Sequence, residues 1–139
     1  INFPIPQFEL LHDQPKQSFF AASPVSLANQ SSLDDLNARL SEPVSMDRFR
    51  VNVVVDGLAA YREDELSTLA GESAILRQVM PAERCIIITT DQKTGERPKS
   101  DLMKVLSEYR RKPESERFGT GLIFSSYMNV ESEGTLRVG

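Results

Sequence analysis

Residues 50–57 read Arg-Val-Asn-Val-Val-Val-Asp-Gly, a run of β-branched side chains that ends in a turn dipeptide. Such a run favours a β-strand, because branched side chains pack well on a pleated surface. Arg50 and Asn52 are two apart, so the strand pattern predicts that their side chains share a face. That pair could bind an anion, although a solvent-facing strand edge carries the same residue types.

Five other stretches also favour strands. They are Val25–Asn29, Ala74–Met80, Arg84–Thr90, Gly121–Val130 and Thr135–Val138. Pro81-Ala82-Glu83 is predicted to separate the second from the third, and residues 131–134 to form a turn. Residues 58–72, with an acidic run at Glu63–Glu65, are predicted to be a solvated loop or a short helical turn.

Two segments have the pattern of an amphipathic helix. Ser31–Leu40 combines a serine N-cap with leucines on one face, and Ser100–Arg110 carries an i, i+3, i+4, i+7 apolar stripe that Pro113 ends. Basic residues 110–112 near that end are predicted to be a solvated cluster. Strands outnumber helices and do not alternate regularly with them. The sequence therefore predicts a mainly β, barrel-like fold with two short peripheral α-helices.

Composition indicates one soluble globular domain. Of 139 residues, 40% are hydrophobic and 26% charged. The net charge of −4 provides no basic field for nucleic acid. No apolar run approaches the roughly 20 residues of a membrane helix. Residues 1–20 are predicted to be an extended lead-in, and the ends at Ile1 and Gly139 suggest a piece of a longer polypeptide.

The chain has one cysteine and one histidine, which limits the kinds of catalytic and metal site that it can form. A disulfide framework and a thiolate zinc cluster are excluded, and a histidine-based triad would depend on His12. Cysteine usage points to a reducing, cytoplasmic location.

Cys85 is the main candidate for chemistry. It directly follows Arg84 and precedes three isoleucines. An adjacent guanidinium favours the thiolate, the form that attacks electrophiles and binds soft metals. The alternative interpretation is a small apolar side chain buried at the start of a strand.

Several stretches, in order, resemble the MOSC domain, named after the C-terminal domain of molybdenum cofactor sulfurases. They are residues 23–24, 27–37, 46–55, 79–80, 84–91, 94–95, 102–110 and 134–139. The Phe49-Arg50-Val51-Asn52 run followed by Arg84-Cys85 is the specific part. The resemblance covers roughly residues 20–139, the C-terminal part of such a domain, without its N-terminal subdomain. It is closest to the branch of amidoxime-reducing components and bacterial proteins that detoxify N-hydroxylated bases.

The resemblance implies a molybdenum-molybdopterin cofactor and a set of site residues. Cys85 would be the molybdenum ligand and catalytic residue. The cofactor-binding positions would be Ser23, Arg50, Asn52, Arg84 and Tyr127. One departure concerns Glu83, because a carboxylate beside a phosphate-binding wall is unfavourable unless it points away.

By the same resemblance, the expected reaction is the two-electron reduction of N-hydroxylated small-molecule substrates. Electrons would come from a separate iron–sulfur, flavin or haem protein or domain. One alternative is a non-catalytic cofactor carrier of the sulfurase type, associated with a pyridoxal-phosphate domain. Another is a β-rich interaction domain that kept the fold and lost the cofactor.

Overall fold

The structure, a computed structural model, describes residues 23–115 and 119–138. Their strands and helices are β1 (Val25–Asn29), α1 (Gln30–Arg39), β2 (Val53–Val55), β3 (Thr68–Ala70), β4 (Ile75–Glu83), α2 (Leu102–Tyr109) and β5 (Ile123–Ser132). Short 3-10 helices span Met46–Phe49, Arg62–Asp64, Ile86–Thr89 and Pro113–Ser115. The predicted lead-in at residues 1–20 and His12 lie outside the described residues. No helix in the described part combines the length and apolarity needed to cross a membrane.

The five strands form one sheet that curls into a half-barrel, in the order β2-β1-β5-β4-β3. β1 and β2 are parallel, with α1 between them along the chain, and the other three pairings are antiparallel. β5, the last strand in sequence, therefore lies at the centre. The prediction of a mainly β, barrel-like fold with two short helices is confirmed.

Apolar side chains pack on both faces of the sheet, and β1 contributes to each. Ala28 joins the larger cluster, which also contains residues of both helices, while its neighbour Leu27 joins a smaller cluster with Leu76 and Met128. Such alternation is the period-two pattern of a strand that is buried on both sides. In the larger cluster the rings of Phe49 and Phe124 stack with their centroids 3.9 Å apart.

The helices occur close to where the sequence places them. In α2, the predicted stripe is the buried face, through Leu102, Val105 and Leu106. The predicted serine cap of α1 is wrong, because the helix begins at Gln30 and its N-cap is Asn29, two residues before Ser31. The Asn29 side chain accepts a hydrogen bond from the backbone of Ser31 over 3.3 Å, which satisfies one of the open amides of the first turn.

Three predicted strand assignments are corrected. β4 continues through residues 81–83, because register shifts in its pairing with β5 accommodate a proline there. The predicted strand Arg84–Thr90 is instead the 3-10 helix Ile86–Thr89. Thr135–Val138 is not a strand, and β5 extends through Ser132 into the predicted turn.

Candidate functional site

Cys85 lies where β4 has ended and the 3-10 helix Ile86–Thr89 begins, and its side chain is exposed. The alternative interpretation of a buried core cysteine is therefore wrong. Its carbonyl accepts a hydrogen bond from the backbone of Ile88 over 3.2 Å, which fixes the chain beyond it. The thiol can reach a ligand from solvent while its backbone is held.

The guanidinium of Arg84, just before the thiol, is held by three groups of the protein. Nε donates to the carbonyl of Phe124 over 2.8 Å, and one terminal nitrogen donates to the carbonyl of Phe49 over 3.0 Å. The other terminal nitrogen donates to the hydroxyl of Ser125. These neutral acceptors orient the guanidinium without neutralising its charge.

Burial lowers the pKa of Arg84, and the groups that oppose this shift are Tyr127 and Cys85. No carboxylate in the described residues forms an ion pair with this guanidinium. Arg84 is half-buried, and a cation that has lost part of its hydration without gaining an anionic partner is destabilised, which a bound anion would relieve. Among the described residues, Cys85 and Tyr127 are thus the titratable groups whose charges act on the Arg84 guanidinium.

Ser125, which accepts from Arg84, has a left-handed backbone with φ of 72° and is fully buried. A non-glycine residue rarely adopts this conformation, and it persists only where its surroundings enforce it. Here the kink lies within β5 beside the arginine. The sequence gives no signal of it.

Arg50 and Asn52 do not share a strand face, because β2 begins only at Val53. Arg50 instead ends the 3-10 helix Met46–Phe49 with φ of 52°, so the two-residue strand repeat does not apply. Its side chain is exposed, and it is one residue from the Phe49 carbonyl that binds Arg84.

Asn52 ties β2 to β1. Its Oδ1 accepts from the backbone and the hydroxyl of Ser26, over 2.8 and 3.0 Å. Ser26 in turn pairs across the sheet with Tyr127. Asn52 is therefore linked to Tyr127 through Ser26, and its amide oxygen already accepts two hydrogen bonds.

Ser23 lies toward the opposite end of β5 from Cys85. Its hydroxyl donates to the carbonyl of Met128, whereas the backbone of Arg84 donates to the carbonyl of Leu122. The two carbonyls are six residues apart along the chain, a separation that reaches roughly 20 Å only in a fully extended strand. The structure does not group Ser23 with the thiol.

Two predictions of solvated charge are wrong. Glu63 is fully buried, and its Oε2 accepts from the hydroxyl of Ser32 over 2.8 Å. Arg110 is also buried and forms a two-point ion pair with Asp64, at 3.0 and 2.8 Å. These partners are 31 and 46 residues apart in sequence, so no local pattern reveals them.

Two residues that hold the backbone near Cys85 could not be identified from the sequence pattern. Arg48 donates to the carbonyl of Thr89 over 2.8 Å, at the end of the 3-10 helix that follows Cys85. Glu83 accepts from the backbone of Thr120 and Gly121, so its carboxylate is directed toward that turn. The Gly119-Thr120-Gly121 run is the one signal that could have indicated a tight turn there.

Comparison with known proteins assigns this sequence to a family. The profile of the MOSC domain matches residues 14–139. The chain belongs to the MOSC domain family. It is 33% identical over 133 residues to human mitochondrial amidoxime-reducing component 1, covering 94% of this chain and 40% of that protein. It is 36% identical over 118 residues to human mitochondrial amidoxime reducing component 2, covering 84% of this chain and 35% of that protein. The chain thus spans about two-fifths or less of these relatives.

The residues of this MOSC chain fit a cofactor that brings most of its own metal ligands. Among the described residues, no group of three or more His, Cys, Asp or Glu side chains could hold a metal ion. Cys85 offers one soft sulfur, and the guanidinium of Arg84 offers charge to an anion beside it. One thiolate beside one guanidinium could bind an anionic organic cofactor that carries a metal with an affinity for sulfur.

Proposed function

We propose that this chain is the cofactor-binding part of a molybdenum oxidoreductase that reduces N-hydroxylated compounds. The observation that carries the proposal is the exposed Cys85 thiol next to the half-buried guanidinium of Arg84, which forms no ion pair with a carboxylate of the described residues. The similarity to amidoxime-reducing components supports the reaction class.

Each residue has a stated part in this proposal. Cys85 ligates molybdenum through its thiolate. Arg84 and Arg50 bind the anionic pterin phosphate, and Arg84 is already oriented by its bonds to Phe49, Phe124 and Ser125. Tyr127 lines the same site, while Asn52 keeps β2 against β1. Ser23 joins the cofactor-binding set through the family resemblance alone.

The bound molybdenum cofactor would supply the oxygen transfer and the two-electron chemistry. The protein would then bind the cofactor and orient it through the exposed thiolate of Cys85. Electrons would come from a separate iron–sulfur, flavin or haem partner.

Replacing Cys85 with serine in the full-length protein tests the metal ligand. Serine keeps the shape but replaces a soft thiolate with a hard hydroxyl, so molybdenum content and reductase activity should be lost. Thermal stability should stay within about 1 °C to 2 °C, because the exposed side chain makes little packing contact. Molybdenum analysis, an amidoxime-reduction assay and calorimetry measure these outcomes. An active Cys85→Ser protein with full molybdenum content would refute the assignment.

Replacing Arg50 with alanine tests the anion site. A charge-assisted hydrogen bond is worth roughly 1.5–3 kcal/mol, so cofactor affinity should fall about tenfold or more. Arg62→Ala, which removes another exposed arginine, is the matched control and should retain the cofactor. Equal retention by both variants would remove Arg50 from the proposed site.

A further inference from the structure

The carbonyl of Arg84 is part of the peptide bond that joins it to Cys85. Whatever holds this carbonyl therefore also sets the direction of the next residue. The hydroxyl of Thr120 donates to it over 2.6 Å, and the amide of Arg84 donates to the carbonyl of Leu122 over 2.7 Å. Both backbone polar groups before the thiol are held by one short segment, residues 120–122.

Glu83 holds the same segment through its carboxylate. Its Oε1 accepts from the amides of Thr120 and Gly121, over 2.6 and 2.7 Å. Gly119 and Gly121 have φ of 111° and 62°, which turns successive amides toward a common point. Such concave amide arrays bind anions, and here the anion is a side chain of the protein.

The two sets of bonds form a closed loop of contacts around the Arg84–Cys85 peptide. Glu83 fixes the turn at residues 119–121, and the turn fixes the carbonyl of Arg84 through Thr120. The Glu83 carboxylate is thereby directed into the turn.

We propose that Thr120 and Glu83 are positioning residues that set the direction of the Cys85 thiol. Neither touches the metal; both act through the peptide bond before the ligand. The metal's identity rests on the proposed function, whereas the ordering of Cys85 does not.

The first test measures order at Cys85 without any cofactor. The full-length protein is labelled with 15N-cysteine, and the Cys85 signal is identified by its loss in Cys85→Ser. A rigid backbone has an order parameter of about 0.85 and a flexible one falls below about 0.6. Thr120→Val, which removes the hydroxyl, should shift Cys85 from the first range to the second. Thr120→Ser should restore it, and Thr94→Val, in the exposed turn at residues 91–96, should leave it unchanged.

The second test measures molybdenum per protein in the same variants as purified. Thr120→Val should lower it roughly tenfold or more, and Thr120→Ser should keep it near the wild-type value. If Thr120→Val does not fold, Glu83→Ala takes its place, with Glu83→Gln as the conservative partner because its amide oxygen can accept the same bonds.

The outcomes separate the two proposals. A wild-type protein without molybdenum would overturn the proposed function, while the order parameter still decides the positioning role. An unchanged Cys85 order parameter in Thr120→Val overturns that role. So does a lowered order parameter with full molybdenum content, since the thiol would then not need its fixed direction.

Discussion

Replacing Arg110 with methionine tests the buried ion pair with Asp64. The two side chains are 7% and 8% exposed, so solvent screens their charges little. Methionine has a similar length but leaves Asp64 with Lys112, 3.2 Å away, as its remaining cation. The carbonyl of Ile123 also loses its bond from Arg110, and the ring of Tyr61 loses the guanidinium stacked 4.1 Å from its centroid.

The expected loss of stability follows from these contacts. Removing one partner of a buried ion pair lowers the free energy of unfolding by about 3–5 kcal/mol, because the other charge stays buried. For a domain of this size, that corresponds to a fall in Tm of roughly 10–15 °C. Urea unfolding monitored by circular dichroism gives the free energy, and calorimetry gives Tm.

The matched control is Arg39→Met. Arg39 pairs with Asp35 at 2.9 Å on the surface of α1, with 48% and 33% of the two side chains exposed. Such exposed pairs contribute about 0–1 kcal/mol. Adding Asp64→Leu to Arg110→Met should recover part of the lost stability, because it removes a buried carboxylate that then has only the half-exposed Lys112 as its partner. If Arg110→Met costs no more than Arg39→Met, the reasoning about burial is refuted.

Two further perturbations concern the core. Burial raises the pKa of Glu63 above its usual 4.5. Above about pH 4.5 the unfolded chain loses this proton while the folded protein keeps it, so the free energy of unfolding falls until the pH passes the raised pKa. Glu63→Gln should therefore unfold less readily than the wild type at pH 7, and the difference should vanish near pH 4; a pH-independent difference would contradict the burial argument. Phe49→Ala removes the ring stacked on Phe124 and should cost about 3–5 kcal/mol in urea unfolding. A cost below about 1 kcal/mol would show that the cluster repacks around the gap.

The sequence predicts those parts of the fold that depend on local patterns. The stripe of α2 and the run of β5 are each long enough for their periodicity to identify the element. The run Ile86-Ile87-Ile88 has the composition of a strand, yet the chain turns there into a 3-10 helix with Ile86 and Ile87 exposed. Tertiary contacts, such as the one from Arg48 to Thr89, override the propensity.

The candidate site was predictable in its residue types but not in its geometry. Arg84 and Cys85 are adjacent in sequence, so their proximity could be inferred. The left-handed backbone of Arg50 and Ser125 could not, because neither residue type signals it. The bonds from Glu83 to the turn at Thr120 join residues 37 apart, which only the folded chain brings together.

The position of β5 has a consequence for synthesis on the ribosome. β5 spans residues 123–132, is made after the other four strands and separates β1 from β4 in the sheet. Until β5 has been synthesised, β1 and β4 lack the strand that pairs with both of them. Val25 of β1, for example, pairs with Met128 of β5. Most of the nascent chain is therefore exposed to proteases and chaperones with its sheet incomplete. A stop codon before residue 123 would leave two strand pairs with nothing to join them, so the product should be degraded rather than form a smaller folded domain.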